Sequence, residues 1–189
     1  MARTPAPARS ALGAIVALAL LLALWSGAAP AQSPAPSSET DIKAAFLYKF
    51  GDFVQWPPEA FAGEDRFVVG VMGADEIAEA LERLVGERRV KGYPIAVRRL
   101  RPGDSLRGVH VLFVGSGESG RLAEILAAAD AQPILAVTDS EAGLRAGSMI
   151  NFVVENQRVR FDIALPPAER ARLKISSRLL AVARKVIAS

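Results

Sequence analysis

Val109-His110-Val111-Leu112-Phe113-Val114 runs directly into Gly115-Ser116-Gly117-Glu118-Ser119-Gly120. After one alanine-rich stretch comes Pro133-Ile134-Leu135-Ala136-Val137-Thr138. An apolar run of this length without alternation is a strand covered on both faces. Glu118 to Ala129 has the length and composition of a helix. Strand, helix and strand in that order make a parallel crossover, because parallel neighbours need a dozen or more connecting residues.

Working upstream, Arg66 to Met72 (RFVVGVM) reads as a second buried strand. Asp75 to Val85 follows as an amphipathic helix with Ile77, Leu81 and Leu84 inward. Tyr93 to Leu100 reads as a strand, and Pro94 places it at an edge or at a strand start. Downstream the pattern changes. Met149 to Val154 and Arg158 to Ala164 are separated by Glu155-Asn156-Gln157, a hairpin signal. Val159, Phe161 and Ile163 alternate with Arg158, Arg160 and Asp162, which predicts one buried and one wet face. The fold class is therefore α/β: a single-domain three-layer sandwich, mostly parallel sheet with an antiparallel edge hairpin, helices on both faces.

The flanks complete the domain. Ile42, Phe46, Phe50 and Phe53 recur at helical spacing from Thr40 onward, with Ser38 or Thr40 as cap. Pro57-Pro58 ends that helix, and Trp56 before a proline is extended. Pro166-Pro167 starts a C-terminal helical region whose core stripe reads Ile175, Leu179, Val182, Ala183 and Val186.

The N-terminus predicts export. Arg3 and Arg9 precede an uncharged run of 15 residues, Ala11 to Trp25. That is signal-peptide length and short of the roughly 20 residues a membrane span needs. Ala29-Pro30-Ala31 is a small-x-small cleavage site, so residues 1–31 read as a removed signal peptide, 32–39 as a flexible linker and 40–189 as the working domain. Without Arg3 and Arg9 the formal charge falls from +3 to +1, so nothing calls for nucleic acid. The chain has no cysteine. An exported protein without cysteine rests on core burial, and thiol catalysis, disulfide-based regulation and lipidation are excluded.

Candidate chemistry is sparse. Gly115, Gly117 and Gly120 form G-x-G-x-x-G between a strand and a helix, a context that can cradle phosphate on backbone N–H groups. Asp139 lies at the carboxyl end of the next strand, where α/β crevices bind ligands. These four residues are the candidate small-ligand site; a plain strand-to-helix turn is the other reading, and Glu118 inside the loop would repel phosphate. His110, the one histidine, sits in an apolar strand and reads as a core residue. One histidine with scattered carboxylates does not make a metal site, and no cofactor is implied. Asp162 beside Arg160 reads as half of a surface ion pair. No catalytic constellation can be assembled from Asp139 and Asp162. Tyr48 and Trp56 lie in an aromatic-rich segment and are candidate partner anchors. Arg170, Lys174 and Arg178, at i, i+4 and i+8, make a basic face that is either solvated or meets an acidic partner or an anionic membrane.

Several of these segments together resemble the YfiR family of periplasmic proteins. They are Lys43-Ala44-Ala45-Phe46-Leu47-Tyr48-Lys49-Phe50 with Phe53-Val54-Gln55-Trp56-Pro57, Phe67-Val68-Val69-Gly70-Val71, His110 to Val114 and Pro133 to Asp139. Gly147-Ser148-Met149-Ile150-Asn151-Phe152, Val159 to Ile163 and Leu173-Lys174-Ile175-Ser176-Ser177-Arg178-Leu179-Leu180 to Ala183 complete the pattern. The resemblance covers residues 41–187. It implies a periplasmic binding protein rather than an enzyme, one that represses an inner-membrane diguanylate cyclase through its periplasmic sensor domain. It also implies homodimers and sequestration by an outer-membrane lipoprotein. His110 stands where a family cysteine is expected and Ala164 where an Asn is, so the family's redox-sensing device is absent here. The alternative is a periplasmic small-ligand binder or sensor using the crevice near Gly115 to Gly120 and Asp139.

Overall fold

A computed structural model describes residues 38–130 and 132–188. The predicted signal peptide, its cleavage after Ala31 and linker residues 32–37 lie outside the described residues. Helix α1 (Glu39–Phe53) opens with Ser38, whose hydroxyl accepts from the Asp41 N–H. It gives way to β1 (Val54–Gln55), a 3-10 turn (Pro58–Phe61), β2 (Phe67–Met72), α2 (Asp75–Val85), β3 (Arg89–Val90) and β4 (Tyr93–Arg99). Next come β5 (Val111–Val114), a 3-10 stretch (Ser116–Arg121), α3 (Leu122–Asp130), β6 (Leu135–Thr138) and α4 (Gly143–Ala146). The chain ends through β7 (Ile150–Glu155), β8 (Arg158–Ala164), α5 (Leu165–Arg170), β9 (Lys174–Ile175), α6 (Ser177–Val182) and β10 (Lys185–Ile187).

Eight strands form the main sheet in the order β10-β8-β7-β6-β5-β2-β4-β3. β4, β2, β5, β6 and β7 run parallel. β7 and β8 form the expected antiparallel hairpin, in register from Ile150↔Ile163 to Glu155↔Arg158. Asn156 and Gln157 both take positive φ at its tip, the conformation that turns two right-twisted strands in two residues. β1 and β9 make a separate antiparallel ladder.

The pleat sorts side chains into two cores. Val69, Val71, Val111, Phe113, Leu135 and Val137 face one side, with Ala44, Leu47 and Phe50 of α1 and Ile77 and Leu81 of α2. Val68, Met72, Leu112, Val114 and Ala136 face the other, under Leu122, Ile125 and Leu126 of α3. Each large side chain so covered contributes about 2–3 kcal/mol of transfer free energy. Helices therefore cover both faces of a mostly parallel sheet.

Four local expectations need correction. The buried face of α1 is Lys43, Ala44, Leu47, Phe50 and Gly51, while Ile42, Phe46 and Phe53 lie on its flanks. Phe46 and Phe53 are only partly buried but still pack against the core, Phe46 with ring centroids 6.1 and 5.4 Å from Phe152 and Phe161. The helix expected from Glu118 is a 3-10 stretch up to Arg121 and α-helical only from Leu122. The C-terminal region is two short helices and two short strands. Of its expected stripe Leu179 is buried, while Val182 is 59% and Val186 40% exposed. Finally, β10 adds in parallel outside β8, so a further short strand flanks the hairpin.

Candidate functional site

The strand order reverses at β2: the chain leaves β2 for β4 on one side, then returns to β5 on the other. Ligand crevices of open α/β sheets form at such switch points, outside the carboxyl ends of the strands. Here the point is marked by an open crevice of about 910 Å³ lined by Gly73, Ala74, Asp75, Glu76, Arg99, Leu100, Arg101, Asp104 and Glu118. Its walls are charged with both signs, and Arg99 is already engaged by Glu82 at 2.9 Å.

Of the glycine motif only Glu118 lines this crevice, and two of its glycines are required by packing. A Cβ on Gly115 would stand 2.6 Å from the Gly73 carbonyl oxygen, and one on Gly117 2.8 Å from it. Gly73 itself has φ +64°, and a Cβ there would meet Glu118 at 2.7 Å. Two turns thus interlock, backbone against backbone. Gly120 is different, since a Cβ there would meet nothing within 4 Å. Asp139 does not line the crevice, so the structure does not bring the expected four-residue site together.

Asp139 instead belongs to a buried polar cluster one strand further on. Lys43 Nζ donates to Asp139 Oδ2 at 2.9 Å and stands 2.7 Å from Glu39 Oε1. Burial pulls the Lys43 ammonium down, but bonds to Glu39 and Asp139 outweigh it and the net displacement is upward. Asp139 Oδ1 is buried without a partner among the described residues. Beside it, Thr138 Oγ1 lies 2.6 Å from Asn151 Oδ1 and 3.0 Å from Ser148 Oγ. Thr138 and Ser148 are fully buried. The cluster ties α1 to the carboxyl end of β6 and to β7. Sequence reading missed it; the available signal was a lysine at the start of the apolar face that Ala44, Leu47 and Phe50 continue, with an aspartate at a strand end.

Asp162 is not half of an exposed pair with Arg160. It is 6% exposed. Arg184, entering β10, donates Nε at 2.8 Å and Nη2 at 2.6 Å to its two oxygens. The addition of β10 buries what alternation had placed on a wet face, and the bidentate carboxylate holds the Arg184 guanidinium well above its ordinary value. Both candidate carboxylates are thus ion-paired.

His110 is 1% exposed. Its Nδ1 accepts the Val68 N–H at 3.1 Å. Its ring lies between Phe61 and Phe67, with centroids 4.7 and 5.0 Å away. Burial pushes the imidazole below its ordinary value, against the opposing pull of Glu64 and the Ala60 and Gly108 backbone.

The candidate partner residues come from different elements of the fold. Tyr48 is half-buried, with the Arg88 guanidinium 5.9 Å from its ring centroid. Trp56 is buried against Phe67, centroids 5.4 Å apart, with Lys91 5.9 Å from its ring. Arg170 lies in α5, Lys174 in β9 and Arg178 in α6, so the expected continuous helical face does not exist. Arg170 pairs with Asp130 at 3.2 Å, whereas Lys174 and Arg178 are exposed.

Fold and site together define an α/β sandwich whose buried charges are committed to holding its own elements together. Among the described residues no cluster of His, Asp and Glu could hold a metal ion. None of the described helices is long and apolar enough to cross a membrane. The family model for YfiR/HmsC-like proteins matches residues 40–184, and the chain belongs to that family. Membership implies, in general terms, a periplasmic regulator of diguanylate cyclase activity rather than a catalyst. No curated protein matches the chain.

Proposed function

We propose that this protein is exported by a cleaved signal peptide and represses an inner-membrane diguanylate cyclase by docking on its periplasmic sensor domain. The family match over residues 40–184 carries this reading. The signal-like N-terminus read from the sequence supports it. The working form is a homodimer, and an outer-membrane lipoprotein is a second partner that sequesters it. Exposed Lys174 and Arg178, with Arg170 and half-buried Tyr48, supply the docking contacts, and Trp56 braces the segment beneath.

Deleting the gene should raise cellular cyclic di-GMP several-fold, and crosslinking in the periplasm should retain an inner-membrane protein with a periplasmic domain. Unchanged cyclic di-GMP together with no membrane partner would overturn the proposal. A second reading rests on the 910 Å³ crevice at the switch point, whose Arg99, Arg101, Asp75 and Glu76 suit a small zwitterion. Calorimetry against amino acids and nucleotides tests it; a flat response across both panels removes it.

A further inference from the structure

We infer that His110 is an acid-sensitive latch that holds the Trp56–Arg66 segment closed over the sheet. The inference does not depend on the partner proposed above.

The ring is wired into the sheet. The Val68 C=O accepts the His110 N–H at 2.9 Å, and N–H and C=O of one strand residue point the same way. The Val68 N–H therefore also faces β5, and there it meets the imidazole Nδ1 at 3.1 Å. An accepting Nδ1 fixes the neutral tautomer with its proton on Nε2. Nε2 is buried and finds no acceptor of good geometry among the described residues.

Protonation destroys this arrangement at Nδ1. Nδ1 becomes a donor facing another donor, and the Val68 N–H loses its acceptor in the core. A positive charge also appears between Phe61 and Phe67, whose faces compensate it only in part. The groups around the ring are few. Glu59, Glu64, Asp65 and Arg66 lie on the covering segment, where Asp65 pairs with Arg66 at 3.8 Å, and Arg107 lies on the loop before β5. Tyr93 on β4 stacks on Phe61, and Lys91 lies over Trp56. Glu59 is taken by Arg172. Glu64 is the carboxylate whose field acts on the ring, and it belongs to the cover. An imidazolium leaving Val68 and drawn to Glu64 pulls on the segment that carries Phe61. Phe61 is the joint of the cover, since it also touches Trp56, centroids 6.3 Å apart, and Tyr93, 4.9 Å apart.

The test uses the full chain with Trp25→Phe, so that Trp56 is the one indole reporter, and follows the single imidazole by NMR. Acidification below pH 6.5 should shift Trp56 emission to the red and open the cover to protease, with far-ultraviolet circular dichroism unchanged. The emission midpoint should coincide with the imidazole titration. His110→Gln, which can still accept from Val68 but cannot be protonated, should abolish the step. Glu64→Gln should move the midpoint to lower pH. An imidazole that titrates without any change at Trp56 overturns the inference, as does a step that survives in His110→Gln. Should that variant fail to fold, an unmoved midpoint in Glu64→Gln overturns it equally.

Discussion

Lys43 shows how one residue converts a helix into a fixed part of the sheet. It projects from the buried face of α1 and reaches Asp139 at 2.9 Å, so removing its charge leaves a carboxylate in a site already holding one unpartnered oxygen. Lys43→Met should cost about 2–4 kcal/mol in urea unfolding, because the uncompensated charge outweighs the lost attraction. Lys43→Met with Asp139→Leu should recover at least half of that loss. Equal losses in the single and double variants would show that packing, and not charge, sets the cost. His110 makes a second residue-scale prediction, on stability and pH. Its folded value lies below the ordinary 6.5, so the unfolded chain binds the proton more readily. The stabilisation is complete above about pH 6.5 and is lost as pH falls through the folded value, at up to about 1.4 kcal/mol per unit for this one group. Urea midpoints measured between pH 5 and 8 should fall on the acid side, and His110→Gln should flatten that limb.

Among the elements, the turn after β5 is where sequence and structure can be told apart by experiment. G-x-G-x-x-G is a phosphate-cradle pattern, whose glycines serve a tight turn, close approach of a ligand and helix–strand packing. The structure gives a different reason for two of them. Gly115→Ala and Gly117→Ala drive a methyl into the Gly73 carbonyl and should each cost about 1–3 kcal/mol. Gly120→Ala meets open space and should stay within about 0.5 kcal/mol of wild type. A destabilised Gly120→Ala would contradict this packing. The same contrast explains what was legible. β2, β5 and β6 announce themselves because buried parallel strands need unbroken apolar runs, and α2 because its apolar positions keep the helical period. The interlock of Gly73 with Gly115 was not legible, since it joins residues 42 positions apart through backbone atoms that carry no pattern. The C-terminal region misled for a related reason. Its apolar residues fit a helical stripe, but Ser176 caps a new short helix and Lys174-Ile175 pairs with β1, so the period crosses two breaks.

For the whole molecule, the C-terminal quarter decides both how the sheet is closed and which basic side chains stay unpaired at its surface. Residues 174–175 pair with β1 and residues 185–187 pair with β8, so this quarter joins the end of α1 to the edge of the sheet. Alternation within β8 could not foretell this, because the burial of Asp162 comes from Arg184, 22 residues on. Chain closure also separates structural from available charge. Arg184 is committed to Asp162 and Glu155, Arg172 to Glu59, and Arg170 to Asp130. Lys174 and Arg178 enter no ion pair among the described residues and are exposed, so a partner can use them without dismantling the fold. Lys174→Glu and Arg178→Glu should therefore unfold within about 0.5 kcal/mol of wild type. Arg170→Glu should lose up to about 1 kcal/mol more, with its surface bridge. All three should weaken capture of the membrane partner, most at low salt, because exposed charges steer association and are screened beyond about 10 Å in 0.1 M salt. Retention of the partner at wild-type levels by the Lys174→Glu and Arg178→Glu double variant, with the fold intact, would place the docking surface elsewhere on the molecule.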